Sequence, residues 1–313
     1  MKRKVIQIAN STQLVSLPRK WAVEHGVKKG DEVEVKEEGN KIVISTEHGK
    51  EFGKIEVDIT DLDRDSLMFL IRCLYIRGFD EIHVRFSKAT TRHHKIGKEV
   101  TVISSIHQEV NRMNGVEVIQ QKEDYCLIKD ISEGTIKEFD TVLRRIFLLL
   151  VDASQDLLTG IKDGKEYLLE SINERHDTIT KFIAFNLRLL NKYGYPETTK
   201  TTSLYHTISS LDEIIDILKY VSRYIVDNHV HPSKETNSIM ESIHKTICLF
   251  HDFFYGYDNK KVEHISRNRT EVLERIKSIS RKLSQHDIFI ITNMEQILEI
   301  VIHLVVTRMA LEY

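Results

Sequence analysis

The hydrophobic pattern of the chain changes period along its length. Near the N-terminus apolar residues come in short runs: Val5, Ile6 and Ile8, then Leu14 to Leu17, then Val33 and Val35, then Ile42, Val43 and Ile44. Short alternating runs predict strands. Polar or glycine-bearing turns separate them at Asn10-Ser11-Thr12-Gln13, Gly30-Asp31 and Gly39-Asn40. Pro18 suits the first turn of a helix, where its missing N–H would be unpaired anyway, and Gly26 ends that helix. Lys4 to Ser45 therefore reads as strand, basic turn, short helix and hairpin.

From about Gly53 to Ile131 the two periods mix. Ile55, Val57 and Ile59 alternate, and Asp63 caps a helix through Leu67, Leu70, Ile71 and Leu74 that ends at Gly78. Ile82, Val84 and Phe86 alternate again, a second helix is expected over about 98–113, and Val116 to Ile128 predicts a closing hairpin. This β-α-β-α-β-β order resembles a small α/β sandwich of ferredoxin-like type. Arg92-His93-His94-Lys95 reads as a solvated loop, because adjacent histidines project differently and no carboxylate or thiol is near in sequence.

From Glu133 onward the period is helical. Six helices are predicted, at about 135–161, 164–193, 201–230, 234–255, 258–284 and 286–311. Breaks fall at Lys162-Asp163-Gly164, Gly194-Tyr195-Pro196, His231-Pro232, Gly256-Tyr257-Asp258 and Gln285-His286-Asp287. Three helices, a proline break and three more imply two repeats, 133–231 and 232–313. The most apolar stretches, Ile146 to Val151 and Ile297 to Val306, read as too short and too interrupted by charge to span a bilayer.

At 313 residues, two or three domains are expected, drawn at 1–50, 51–132 and 133–313. The net charge of −2 argues against a generic polyanion binder, but the basic residues are uneven. The first thirty residues hold Lys2, Arg3, Lys4, Arg19, Lys20, Lys28 and Lys29 against Glu24. Such an end attracts phosphates. Lys2, Lys4 and Lys20 are candidate phosphate contacts, and Arg3 and Arg19 candidate base-edge or phosphate contacts. Asn10, Ser11, Thr12 and Gln13 can hydrogen-bond base edges if their turn faces a groove. On charge alone these residues equally read as a solvated surface. Cys73, Cys126 and Cys248 fit neither a disulfide framework nor a CxxC site. With no apolar run after Met1-Lys2-Arg3-Lys4, the expected setting is cytoplasmic and not membrane-embedded.

The order VSLPRKWA followed by GVKKGDEVEV resembles the AbrB/MazE/SpoVT family of swapped-hairpin transcription factors. The resemblance implies a homodimer whose two hairpins interleave into one β-barrel and bind double-stranded DNA at a promoter or operator. A segment of fifty residues with few apolar side chains builds little core alone, which agrees.

The third helix of each repeat carries an acidic pair. Leu211-Asp212 with Asp216 lines up with Met294-Glu295 with Glu299. Carboxylates four apart share a helix face and repel, so the repeated arrangement predicts a cation nearby. The same residues also read as ordinary solvated carboxylates. The paired bundles resemble the PhoU family, whose repeats carry an E/D-xxx-D motif on a helix. Asp212/Asp216 and Glu295/Glu299 match that motif, and Asp177, Glu271 and Glu274 on the preceding helices are candidates to complete ligand sets. The implied cofactor is a divalent metal ion (Mg, Mn, Fe or Zn). Glu299 stands where the family has Asp, and Ile217 and Ile300 where a His commonly follows.

An AbrB-like head on a PhoU-like body is the arrangement of archaeal regulators of phosphate uptake. The fold expectation is thus multidomain α+β: a dimeric swapped-hairpin barrel, a ferredoxin-like domain and an all-α pair of three-helix bundles. The function implied is a dimeric DNA-binding regulator whose helical half senses phosphate status, directly or through the ATPase subunit of a phosphate ABC transporter. One alternative is a PhoU-type adaptor that inhibits that transporter without binding DNA. An antitoxin is another, less suited to so large a folded body. Catalysis is not expected: one Glu-x-x-His, Glu241 to His244, falls short of a di-iron bundle, and no phosphate-binding GxxxxGK[ST] loop or nucleophile motif occurs.

Overall fold

The structure, a computed structural model, describes residues 2–8, 12–38, 41–46, 53–132 and 134–313. It divides into two compact units, Met1–Glu51 and Phe52–Tyr313.

In the first unit β1 (Ile6–Ile8) pairs antiparallel with β2 (Thr12–Leu14), placing Ile6 opposite Leu14 and Ile8 opposite Thr12. Pro18 stays extended and immediately precedes the six-residue α1 (Arg19–Glu24) rather than lying inside it. Gly26, at φ +65°, takes the left-handed turn that lets Val27 N–H reach the Ala22 carbonyl at 2.8 Å. β3 (Glu34–Glu38) and β4 (Lys41–Ser45) form the second hairpin, with Val35 opposite Ile44. The turn between them, Gly39-Asn40, lies outside the described residues. Among the described residues of this unit none is buried.

The second unit opens with β5 (Lys54–Asp58), α2 (Arg64–Arg77) and β6 (Glu81–Arg85). Asp63 caps α2, its Oδ1 accepting from the backbone N–H of Asp65 and Ser66 at 2.9 and 3.0 Å. A hairpin of β7 (Thr90–His93) and β8 (Lys98–Thr101), joined by a 3₁₀ turn at His94–Ile96, precedes α3 (Val102–Val110). The predicted helix over 98–113 is thus shorter than expected, and Arg92 and His93 belong to a strand rather than a loop. β9 (Val116–Gln121) and β10 (Tyr125–Asp130) complete the segment. Its sheet runs β5-β6-β10-β9, with β5 and β6 parallel and the other pairs antiparallel. A ferredoxin-like sandwich separates the strands of its βαβ unit with another strand; here they are adjacent, which corrects that expectation. The core is Leu67, Ile71, Ile82, Val84, Ile106, Ile128 and their neighbours.

Six helices follow: α4 (Phe139–Asp163), α5 (Glu166–Tyr193), α6 (Thr201–Asp227), α7 (Lys234–Tyr255), α8 (Asn259–Ile279) and α9 (Gln285–Glu312). α4, α5 and α6 pack on one another, as do α7, α8 and α9, and the trios meet through α4 against α7 and α6 against α9. A Cβ on Gly160 would lie 2.7 Å from Leu169 Cδ2, so glycine permits the close approach of α4 and α5. α9 is long and apolar enough, by length and composition, to cross a bilayer, contrary to the reading of Ile297 to Val306. In this fold Ile290, Met294, Ile297, Val301 and Leu304 place it in the core of the second trio.

Helix α5 ties the helices to the α/β segment. Arg188, 3% exposed, donates to the carbonyls of Tyr75 and Phe79 at 2.8 and 3.0 Å and to Asp130 Oδ2 at 2.6 Å. Asn191 donates to Ile76 O at 2.9 Å, and Lys192 to Asp80 Oδ1 at 2.5 Å. Two cations from α5 therefore sit at the carbonyl end of α2, where its dipole favours positive charge.

Candidate functional site

The first acidic pair lies on α6 facing α5, and Asp216 has close polar neighbours. His176 Nε2 is 3.0 Å from Asp216 Oδ1, and the Lys219 ammonium ion-pairs with Asp216 while lying 2.8 Å from His176 Nε2. His176 Nδ1 is 3.0 Å from Asp177 Oδ1, which also pairs with Arg112 at 3.3 Å. Thr180 Oγ1 donates to Asp212 Oδ1 at 3.2 Å. Arg72 of α2 binds the fully buried Glu109 at 2.6 Å, and its charge also acts on Asp212 and Asp216. Burial, reinforced by the Asp216 charge, pushes the Asp212 carboxyl above its ordinary value. Burial opposes ionisation of Asp216 too, but its contacts with His176 and Lys219 outweigh that and hold it at about 2.

The second pair lies on α9. Arg269 of α8 binds Glu299 Oε1 through Nε at 2.8 Å and Nη2 at 2.6 Å, and Glu295 is half-buried one turn earlier. Glu271 is exposed and 3.9 Å from Arg267; Glu274 is exposed as well. Neither is brought to the pair by any contact described. Among the described residues, no three His, Cys, Asp or Glu side chains gather as a group that could hold a metal ion. The donor set fits carboxylates neutralised by lysine and arginine better than a dication site. An ammonium already occupies the Asp216 oxygen and the imidazole edge that an ion would use.

The basic end of the chain is organised differently. Lys2, Arg3 and Lys4 precede β1, Thr12 and Gln13 lie on β2, and Arg19 and Lys20 start α1; all are exposed. Asn10 and Ser11 lie outside the described residues. The Lys28 N–H donates to Asp31 Oδ2 at 2.7 Å, closing the turn that leads to β3. The same unit exposes Val5, Ile6, Ile8, Leu14, Val15, Val23, Val35, Ile42 and Val43, with Val23 at 73% and Ile42 at 67%. Cationic side chains, hydroxyls and amides in water can contact phosphates and base edges, while apolar side chains left in water call for a partner. Residues 6–51 match the family model of antidote-toxin recognition MazE, a bacterial antitoxin. The match ends where the first unit ends. No curated protein and no solved structure matches the chain. The N-terminal unit is accordingly a MazE/AbrB-like domain, of a kind that points to a DNA-binding regulator or an antitoxin-type function.

His176, Thr180, Arg72 and Glu109 were not singled out from the sequence, nor was Lys219. Lys219 was the most accessible of these, since it follows Asp216 by three residues on one helix, the spacing of an intrahelical ion pair. His176 meets Asp216, and Arg72 meets Glu109, only through tertiary packing, and no local pattern announces them.

Proposed function

We propose that the chain is a dimeric, cytoplasmic, non-catalytic transcriptional regulator of phosphate uptake. Its MazE/AbrB-like domain interleaves with that of a second copy into one barrel and binds promoter DNA. Its helices serve as the sensor or partner-binding half, toward phosphate status or a phosphate transporter's ATPase subunit. The observation that carries the reading is the N-terminal unit itself, in which exposed apolar strands and exposed basic residues occur together. Apolar strands of this kind gain stability by burying surface against a second copy, at roughly 25 cal/mol per Å² of apolar area. Pairing two copies would also double the local positive charge. The phosphate-specific part rests on the resemblance of the helical half, supported by two helix trios with acidic pairs at corresponding positions on α6 and α9.

Mechanistically, a signal bound to the helices regulates DNA binding only if it prefers one arrangement of the dimer over another. The test is binding of the purified protein to DNA upstream of its own gene and of phosphate-transporter genes across a salt series, beside a chain lacking residues 1–51. Selective, salt-dependent binding lost on truncation supports the regulator. Weak non-specific binding at every promoter would move the reading to an adaptor that inhibits the transporter. The family description favours a second reading, an antitoxin, for which a stable complex with a toxin partner is the discriminating result.

A further inference from the structure

The repeated acidic pairs imply a cation at each, and the structure contains two candidates within the chain. On α6, Lys219 ion-pairs with Asp216 and comes within 2.8 Å of His176 Nε2. On α9, Glu299 receives Arg269 through two nitrogens at 2.6 and 2.8 Å. We infer that these side chains stand in place of a bound divalent ion, so that both helix trios keep their structure without metal. The inference goes beyond the proposed function and holds whether or not the N-terminal unit binds DNA.

Charge arithmetic around the first pair agrees. Asp216, Glu109 and Asp177 each have a basic partner, in Lys219, Arg72 and Arg112 respectively. Asp212 is the fourth acid, and it accepts from the Thr180 hydroxyl. A dication entering here would meet the Lys219 ammonium at contact distance, with the Arg72 charge close by. Two like charges a few ångströms apart in a partly dry site repel strongly. Lys219 is 7% exposed, so swinging its ammonium into water would break a largely buried ion pair. A hard dication also wants several oxygen ligands, whereas one oxygen of Asp216 already serves both the ammonium and the imidazole. In the second pair a delocalised guanidinium holds Glu299, and arginine does not deprotonate to make way for an ion.

The test uses the full-length protein purified without added metal. Elemental analysis and thermal melting would be run with and without EDTA, and again with excess Mn²⁺ and Zn²⁺. The inference expects far less than one ion per chain and a melting temperature that EDTA and Mn²⁺ leave unchanged. Copurified metal near one ion per helix trio, or a melting temperature that falls with EDTA, would overturn it. The substitutions Lys219→Gln and Arg269→Gln sharpen the result separately in the two trios. Removing the resident cation should lower the melting temperature in EDTA and create a Mn²⁺-dependent rise, since an ion that binds only the folded chain stabilises it. If both variants fold and neither responds to Mn²⁺, these side chains are not what stands in the ion's place, and the inference fails. Should one variant fail to fold, the other and the wild-type metal content still decide.

Discussion

The two units of this chain solve the problem of burying apolar surface in opposite ways. Residues 53–313 bury theirs internally, in one cluster around Leu67, Ile82 and Ile128 and another running through all six helices. The N-terminal unit has its share of valine and isoleucine but buries none of it among the described residues. Strands of three to five residues joined as two-stranded hairpins are too small to bury both faces. The difference teaches where the proposed dimer would act: the apolar surface that the first unit leaves exposed among the described residues is what a second copy would bury, next to the basic residues proposed to read DNA.

The largest effects should break the self-sufficient unit. Phe250, 2% exposed, lies among Phe147 and Phe254, and Phe250→Ala should cost about 3–5 kcal/mol by chemical denaturation. That loss should not depend on protein concentration. Ile42→Asp, at a position 67% exposed in the single chain, should instead weaken dimerisation, and its effect should grow on dilution. Arg188→Met leaves the Tyr75 and Phe79 carbonyls without their buried donor and Asp130 with Lys192 at 3.2 Å as its remaining cation, and should cost about 3 kcal/mol. Limited proteolysis should then cut the connection between β10 and α4 sooner.

A smaller effect has a pH signature. Asp287 joins two helix starts: Oδ1 accepts from Ser233 N–H and Thr236 Oγ1 at 2.9 and 2.7 Å, and Oδ2 from Ser284 Oγ at 2.7 Å. Burial works against its charge, but these hydrogen bonds prevail and hold its carboxyl at about 2. A depressed carboxyl contributes its full stability above the ordinary carboxylate pKa and loses it as pH falls toward 2. Asp287→Asn should therefore cost on the order of 2 kcal/mol at pH 7, and the gap to wild type should close between about pH 4 and 2. The smallest effect concerns the exposed basic end. Arg19→Ala should leave the fold intact, weaken DNA binding across sequences and reduce the salt slope by about one.

The helical half was largely legible in the sequence. Gly164, Pro196 and Pro232 mark real breaks, and α7 begins and ends where its apolar period does. The β7–β8 hairpin was hidden because its strands read Thr-Thr-Arg-His and Lys-Glu-Val-Thr, with Thr91 alone buried, so no apolar alternation exposes it. Strand order was unreadable because adjacent and split βαβ units share one local pattern. For the candidate sites, the acidic pairs and basic end were visible as local spacing and charge. Arg188, His176 and Arg72 were not, because the contacts that matter, to Tyr75, Asp216 and Glu109, reach 113, 40 and 37 residues along the chain.

The most direct test of the central claim is the mass and amide protection of the isolated N-terminal segment, residues 1–51, by sedimentation and hydrogen exchange over a dilution series. The account predicts a dimer whose strands Glu34–Glu38 and Lys41–Ser45 are protected while dimeric and lose protection as it dissociates. A folded monomer with the same strands protected at every dilution would contradict it.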